Sequence, residues 1–360
     1  MNLVLAHDYL IQMGGAERVV AAMHEKFPDA PIFTSAVCRG ALGEEYAGAD
    51  IRASWMQGLP FIQHHSHFKK YFALYPSAFR SFGEIAADVA WISSSTFAKY
   101  LRFSSGTRTV CYMHNTTRFL WQTEDYLDYE VGPRPLNLLV RRALPGMRER
   151  DREAAARMKV IVANSRNVQE RIRRCYGLES LVVHPPVETS RFHASSDEGG
   201  YYLVVSRLLG YKNIGLPVRA FTRTGQRLVV VGEGPYRARL EAEAGPSIRF
   251  CGRVDDREIH SLYSRCRALI LPGEEDFGIT PVEAMACGKP VIALGRGGAL
   301  ETVVDGLTGV FFNGLSEESF LGAVARCETI SWNREEIRAN ALRFSKEVFV
   351  EKMAGLLFGQ

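Results

Sequence analysis

The chain has 360 residues and a mass of 40.2 kDa, which corresponds to about two domains at ~100–200 residues each. Hydrophobic residues make up 46% and charged residues 23% of the sequence, a balance that excludes disordered, collagenous and membrane-embedded chains. The net charge is +4, and the positive charge is concentrated in the N-terminal half, because residues 1–184 contain 23 Lys and Arg but 18 Asp and Glu. This basic bias favours an anionic substrate or a membrane surface over nucleic acid.

Short apolar runs recur along the chain, and stretches with helical periodicity follow them. They predict strands at residues 3–6, 31–34, 89–92, 110–113, 160–163, 202–205, 228–231, 268–271 and 290–293. Helices are predicted over residues 16–27, 280–287 and 333–357. Continuous apolar strands are typical of parallel sheets that are covered on both faces, so the sequence predicts two α/β domains in tandem.

A break in this pattern separates the two predicted domains. Pro185 and Pro186 force an extended connection, and residues 194–200 form a polar stretch that ends in two glycines. We therefore assign residues 1–186 to an N-terminal domain and residues 187–340 to a C-terminal domain. A helix over residues 341–360 is expected to pack back on the N-terminal domain.

The sequence also bears on location and cofactors. No apolar run reaches the ~18–20 residues of a membrane span, and the start lacks the pattern of a signal peptide, so we expect a cytoplasmic protein. The seven cysteines are dispersed without a C-x-x-C pair, so we expect buried reduced thiols. Neither a D-x-D pair nor a cluster with metal-ligand spacing occurs, so we expect no metal and no cofactor.

Two loops carry groups suited to anions. Gly14 and Gly15 lie between the first predicted strand and helix, where backbone N–H groups and the helix N-terminus suit a phosphate, although a plain connecting turn would look the same. Arg207 and Lys212 follow the first strand of the second domain. They can converge on one diphosphate, and the alternative is a solvated basic loop.

Residues 274–286 form the most specific segment. Glu275 and Glu283 lie eight residues apart across a turn that contains Gly278 and runs into a helix, with Pro281 suited to its first turn. Such a turn offers backbone N–H groups beside carboxylates that can accept hydrogen bonds from sugar hydroxyls. Acidic residues at a helix start are also ordinary partners of the helix dipole.

These segments, together with residues 231–235 (Val-Gly-Glu-Gly-Pro), resemble glycosyltransferase family 4 over the whole chain. The resemblance implies the GT-B architecture, in which two Rossmann-like domains face each other across a deep cleft. It also implies a retaining transfer from a nucleotide-sugar donor without a metal ion. In that family the incoming hydroxyl attacks from the face that the diphosphate leaves and passes its proton to a phosphate oxygen.

The resemblance further implies a role for each matching residue. Arg207 and Lys212 would neutralise the departing diphosphate, Glu275 would orient the transferred sugar, and Glu283 would hold the ribose hydroxyls. The remaining implied donor contacts are backbone groups at Gly14 and Gly15 for the phosphate, at Phe277, Gly278 and Ile279 for the sugar, and at Gly252, Arg253 and Val254 for the base.

His114 ends the predicted strand 110–113. A lone histidine is more often a structural hydrogen-bonding group, but in this family a histidine at this place contacts the donor sugar, so the resemblance implies a catalytic role for His114. Residues 114–121 are similar to the H-T-P-x-R-Y-L-W form of mannosyltransferases that build bacterial O-antigen and exopolysaccharide. The sequence departs from that form at Asn115, Thr116 and Thr117.

The resemblance therefore implies a hexosyltransferase that moves mannose from GDP-mannose to a polyprenyl-diphosphate-linked glycan or another sugar acceptor. The alternatives are a UDP-sugar donor, a nucleotide-sugar 2-epimerase and a non-catalytic binding module.

Two further segments have open interpretations. Residues 61–82 mix aromatic and basic side chains, Lys69 and Lys70 among them. This stretch suits either contact with the anionic inner face of the cell membrane or a core helix with a solvated basic face. The mixed-charge residues 148–152 are interpreted as a solvated helix face.

Overall fold

The computed structural model describes residues 1–64, 71–122, 134–193 and 199–359. The chain forms two compact units, which comprise Met1–His184 with Phe349–Gln360 and Pro185–Val348. The sequence placed these boundaries after residues 186 and 340. Within the polar stretch 194–200, residues 194–198 lie outside the described residues.

The first unit contains a seven-stranded parallel sheet in the order β3-β2-β1-β5-β7-β8-β9. The strands of this unit are β1 (Leu3–His7), β2 (Ile32–Thr34), β3 (Ile51–Ala53), β4 (Glu84–Ile85), β5 (Val89–Ser94), β6 (Arg102–Phe103), β7 (Arg108–Met113), β8 (Val160–Ala163) and β9 (Leu181–Val182). Its helices are α1 (Gly15–Lys26), α2 (Tyr75–Arg80), α3 (Arg118–Trp121), α4 (Arg134–Ala156) and α5 (Arg166–Tyr176). Strands β4 and β6 pair with each other, outside the large sheet.

The second unit contains a six-stranded parallel sheet in the order β12-β11-β10-β13-β14-β15. Its strands are β10 (Tyr202–Val205), β11 (Leu228–Val231), β12 (Ile248–Gly252), β13 (Leu269–Leu271), β14 (Val291–Leu294) and β15 (Gly309–Phe312). Its helices are α6 (Gly215–Thr224), α7 (Arg237–Glu243), α8 (Asp256–Arg265), α9 (Ile279–Ala286), α10 (Ala299–Thr302), α11 (Glu317–Thr329) and α12 (Arg334–Leu342). The last helix of the chain is α13 (Lys346–Phe358).

Both large sheets are covered on both faces, as the continuous apolar strands predict. In β1, Val4 and Ala6 pack in one hydrophobic core whereas Leu3 and Leu5 pack in another, because successive strand residues point to opposite faces. The two clusters on either side of the second sheet divide β10 in the same way. The structure contains all nine strands that the sequence predicts.

The sequence missed six strands and joined two helices. The missed strands, β3, β4, β6, β9, β12 and β15, are short, lie at sheet edges or, like β12, are mostly half-exposed, so their apolar signal is weak. The predicted helix 333–357 was wrong, because α12 and α13 are separate. The Phe344 carbonyl accepts a hydrogen bond from Val187 N–H (3.0 Å), so this backbone pairs with another segment at the break.

A buried ion pair holds the segment that follows β7. Lys99 Nζ lies 3.0 Å from Asp151 Oδ1, and both side chains are at most 1% exposed. Asp151 also accepts hydrogen bonds from Thr117 Oγ1 (2.9 Å), Trp121 Nε1 (2.9 Å) and Tyr176 OH (2.8 Å). The interpretation of residues 148–152 as a solvated face was therefore wrong for Asp151, which faces the interior of the first unit.

The described part of the aromatic and basic stretch is divided between the core and the surface. Tyr75 and Phe79 of α2 are buried, whereas Phe61 is 73% exposed. Lys69 and Lys70 lie outside the described residues. Across the described ranges, none of the helices combines the length and apolar character that a membrane crossing requires.

The cysteines form no disulfide. All seven are free, and five of them are buried. Burial raises the pKa of the Cys111 and Cys266 thiols to about 12, so both stay protonated.

We expect Asp151→Ala to lower the free energy of unfolding by about 3–5 kcal/mol, because it leaves the buried Lys99 ammonium without its counter-charge. Urea denaturation followed by circular dichroism measures this change. Glu170→Ala is the matched control, since the Glu170–Arg173 pair is exposed to solvent and contributes little to stability. Equal denaturation midpoints for the two variants would contradict the structural role of Asp151.

Candidate active site

The predicted residues of the second unit lie at one edge of its sheet. Parallel strands place their carboxyl ends at the same edge, and the strand order reverses between β10 and β13, where α/β sheets bind ligands. Arg207 follows β10, Gly252 ends β12, and Glu275 follows β13. The structure therefore assembles these three parts of the sequence at one edge.

Lys212 and Glu275 form an ion pair across the loops that follow β10 and β13. Their side chains are 11% and 25% exposed, so the pair is partly desolvated. Lys212 ends a short 3-10 turn, Gly210–Lys212, and its Nζ lies 5.0 Å from the centre of the Tyr211 ring. A Cβ at Gly273 would lie 2.9 Å from the Lys212 Cα, so the close approach of the two loops requires this glycine.

The Arg207 side chain is exposed, and its guanidinium forms no hydrogen bond or ion pair with any described residue. Its backbone is nevertheless held firmly, because Ser206 N–H donates to the Val231 carbonyl (3.0 Å) and Leu208 N–H to the Glu233 carbonyl (2.9 Å). The guanidinium therefore projects from a fixed backbone without a partner in the described ranges of the chain.

The two glycines of residues 231–235 allow the loop of Arg207 to lie close to the end of β11. A Cβ at Gly232, where φ is +130°, would collide with the Ser206 carbonyl oxygen. A Cβ at Gly234 would collide with the Leu208 carbonyl oxygen. Both glycines thus allow the loop that carries Arg207 to lie directly on the neighbouring strand end.

Glu283 lies on α9 and is held by a residue that the sequence analysis missed. The Tyr263 hydroxyl donates a 2.7 Å hydrogen bond to Glu283 Oε2. Tyr263 is fully buried, and burial together with the nearby carboxylate raises its pKa well above the usual value, so it remains a donor. No motif marks Tyr263, because the contact joins α8 to α9 through tertiary packing.

The turn between Glu275 and Glu283 is supported by the loop that follows β14. Gly298 N–H donates to the Glu275 carbonyl (2.8 Å), and a Cβ at Gly298 would collide with the Phe277 backbone. Gly278 has a φ of +91° and precedes Ile279, the first residue of α9, while the Phe277 side chain is buried. The predicted Glu275–Ile279 turn is therefore a braced loop that ends in a helix start.

The expected base-binding residues lie at the end of β12. Gly252 has a φ of +68°, and its carbonyl accepts a hydrogen bond from Gly232 N–H (2.8 Å). Arg253 is exposed and Val254 half-buried. Arg253 has no hydrogen-bond or ion-pair partner among the described residues.

Arg296 is an exposed cation at the same edge that the sequence analysis did not single out. It follows β14, two residues before the Gly298 that contacts the Glu275 loop. Its position directly after a predicted strand was the available signal. Among the described residues, no group of three or more His, Cys, Asp or Glu side chains is arranged to hold a metal ion.

In the first unit, the predicted glycines and His114 follow β1 and β7, which flank β5 in the sheet. Gly14 caps α1, and its N–H donates to Glu17 Oε2 (3.0 Å), so this N–H already has a protein partner. Gly15 is exposed at the first position of α1. Both glycines therefore lie at a helix start, as predicted.

His114 is half-buried, and Ser93 Oγ lies 2.8 Å from its Nε2. The Tyr112 ring packs edge-on against it with centroids 5.2 Å apart. The segment that follows is fixed to Asp151 through Thr117 and Trp121. The departure from the mannosyltransferase form at Thr117 therefore places a hydroxyl in this buried network.

Comparisons with known proteins agree in both units. Residues 13–191 match the family described as Glycosyltransferase Family 4, and residues 186–344 match the family described as Glycosyl transferases group 1. The structure of Anabaena Alr3699/HepE in complex with UDP and glucose covers 100% of both chains with a TM-score of 0.72 and 18% identity. At this identity the likeness concerns the fold, and it confirms the predicted GT-B fold with two Rossmann-like domains.

Curated relatives are similar over part of the chain. The O-antigen chain mannosyltransferase RfbU of Salmonella typhimurium is 27% identical over 48% of this chain and 52% of its own. The GDP-mannose-dependent alpha-(1-6)-phosphatidylinositol monomannoside mannosyltransferase of Mycolicibacterium smegmatis is 29% identical over 46% of this chain and 52% of its own. The chain thus spans about half the length of these relatives. From the two family matches, which together run from residue 13 to residue 344, the chain is a member of glycosyltransferase family 4.

Proposed function

We propose that this protein is a retaining, metal-independent hexosyltransferase that moves mannose from GDP-mannose to a lipid-linked or oligosaccharide acceptor in surface polysaccharide synthesis. One observation carries the proposal. The arginines of the second unit whose guanidinium has no hydrogen-bond or ion-pair partner among the described residues are Arg207, Arg253, Arg257 and Arg296. All four follow the carboxyl end of a strand or lie in the next helical turn, where an anionic ligand would supply the missing partner.

The charges at this edge suit a departing nucleoside diphosphate. Arg207 offers a guanidinium that can bind two phosphate oxygens, and Lys212 adds a point charge. Lys212 is already bound to Glu275, so a diphosphate would compete for the ammonium and free the carboxylate to accept from sugar hydroxyls. The preorganised cations would stabilise the leaving charge without a metal ion.

The proposed reaction needs no enzyme carboxylate as the base. The acceptor hydroxyl attacks the anomeric carbon on the face that the diphosphate leaves, and its proton passes to a phosphate oxygen. Glu275 orients the sugar, backbone groups at Phe277–Ile279 contact its hydroxyls, and Glu283 holds the ribose. Gly252–Val254 would lie near the base, the backbone at Gly14 and Gly15 near the phosphate, and His114 near the donor sugar.

The donor is the finer part of the proposal. The two mannosyltransferase relatives support mannose as the transferred sugar, and the GDP-mannose-dependent relative of Mycolicibacterium smegmatis supports GDP-mannose as the donor. A UDP-sugar donor is the second candidate, because the structural neighbour was solved with UDP and glucose. A cytoplasmic location and peripheral contact with an anionic membrane belong to the same proposal, since a polyprenyl-diphosphate acceptor is a membrane lipid.

We expect GDP alone, among GDP, UDP, ADP and NAD, to bind the purified protein in the presence of EDTA. Isothermal titration calorimetry measures this directly. Binding of UDP alone would replace mannose by a UDP-sugar donor. Binding that needs a divalent ion would contradict metal independence, and failure of every nucleotide would leave no support for a transferase.

We expect Arg207→Ala and Lys212→Ala each to lower kcat by about 10²–10³-fold, the usual cost of removing a group that stabilises transition-state charge. Turnover with GDP-mannose is the measurement. Arg223→Ala is the matched control, because Arg223 is exposed, pairs with Glu317 and lies near the end of α6, away from the carboxyl edge. If Arg207→Ala and Lys212→Ala turn over as fast as Arg223→Ala, neither Arg207 nor Lys212 takes part in the mechanism.

We expect Tyr263→Phe to weaken GDP binding about tenfold, because Glu283 loses the hydrogen bond that orients it toward the ribose. The affinity for 2′,3′-dideoxy-GDP should change little, since that ligand offers Glu283 no hydroxyl. Tyr201→Phe is the control, because the Tyr201 hydroxyl donates to the Leu262 carbonyl instead. Equal losses for both ligands would show that Tyr263 serves the fold and not the ribose contact.

A further inference from the structure

The imidazole of His114 is connected through one hydroxyl to a second, buried imidazole. Ser93 Oγ lies 2.8 Å from His114 Nε2 and 3.0 Å from His7 Nδ1. His7 ends β1 and is 1% exposed, while Ser93 lies on β5 and is fully buried. The sheet register places His7 directly beside Ser93, and β7, which leads into His114, pairs with the other side of β5.

The proton on His7 can be located from its acceptors. His7 Nδ1 lies 3.2 Å from the Ser93 carbonyl oxygen as well as 3.0 Å from its hydroxyl. A carbonyl oxygen only accepts hydrogen bonds, so the contact requires a proton on His7 Nδ1. The same N–H then points toward Ser93 Oγ, which therefore accepts from His7.

The Ser93 hydroxyl has one proton of its own to donate. In the part of the chain that the structure describes, Ser93 Oγ has two hydrogen-bond partners, the two imidazoles. Since His7 Nδ1 is a donor, the hydroxyl proton can only be accepted by His114 Nε2. An accepting Nε2 places the proton of the neutral ring on Nδ1.

We propose that His7 and Ser93 are positioning residues that hold His114 in its Nδ1–H tautomer, so that His114 donates a hydrogen bond to a substrate oxygen. The identity of that substrate, a sugar of the donor, rests on the proposed function. His114 Nε2 is occupied by Ser93, and Nδ1 carries a proton. His114 is therefore a donor and not the base that removes the acceptor proton.

This assignment gives His114 a defined chemical role. A sugar hydroxyl that accepts from His114 Nδ1–H keeps its own proton and can still donate to a carboxylate or carbonyl. With the other tautomer, Nδ1 would accept, and the same hydroxyl would have to donate to it. The tautomer thus selects the direction of the hydrogen bond that a bound sugar makes.

The tautomer can be measured without any substrate. Long-range 1H–15N correlation spectra of the full chain labelled at histidine distinguish Nδ1–H from Nε2–H, and the His114→Gln spectrum identifies the His114 signals. We expect the wild-type protein to show Nδ1–H at His114. An Nε2–H signal, or an equal mixture of the two forms, overturns the proposal whatever the variants do.

Four variants test the origin of the tautomer. In Ser93→Ala we expect His114 to lose its fixed Nδ1–H form, whereas Ser94→Ala, the matched control on the same strand with its hydroxyl near Asp8, should leave His114 unchanged. His7→Asn keeps a nitrogen donor near the Nδ1 position and should preserve the tautomer, while His7→Leu should not. A His114 spectrum that is the same in all four variants overturns the role of Ser93 and His7.

Activity supplies a separate readout. Ser93→Ala should lower kcat/KM with the donor by about tenfold, the value of one neutral hydrogen bond, and His7→Asn should restore more activity than His7→Leu. A fixed Nδ1–H tautomer in a protein that binds no nucleotide would leave the positioning residues intact and sink the proposed function alone. A changed tautomer with unchanged kcat/KM would show that the His114 donor is not used.

Discussion

The parallel direction of every strand pair in the two large sheets is the constraint on which the rest of the structure depends. It sends each connection back across a face of the sheet and gathers the carboxyl ends of the strands at one edge. Arg207, Arg253 and Glu275 are distant in sequence, yet all three lie at the carboxyl edge of the second sheet, because each of them follows a parallel strand. Within the first unit the same constraint brings together His7 of β1, Ser93 of β5 and His114, which directly follows β7.

The loops at this edge lie close together because the chain carries glycine where backbones meet. Gly232 and Gly234 admit the loop of Arg207, Gly273 admits Lys212, and Gly298 admits the Glu275 turn. Each contact is backbone on backbone, so a side chain at any of these glycines would push a charged residue away from its place. The positions of the charged side chains thus depend on the missing Cβ atoms of these four glycines.

The sequence predicts the parts of this protein whose signal is local. Apolar runs located nine strands, and the pattern around Glu275 and Glu283 located the helix start between them. Contacts made by tertiary packing left no such signal: the Lys212–Glu275 pair, the Tyr263 hydroxyl on Glu283 and the Ser93 bridge join residues 20 to 86 positions apart. Asp151 was misjudged for the same reason, since its neighbours in sequence are charged and its partners are distant.

The last helix has a consequence for how the chain is made. Helix α13 begins among residues of the second unit, yet Phe349, Met353 and Leu357 are buried in the core of the first, against β1 and β5. A ribosome releases these three side chains after both sheets have left the exit tunnel. The first unit to be synthesised is therefore the last to be finished, and until then its core has an open apolar face that a chaperone would recognise.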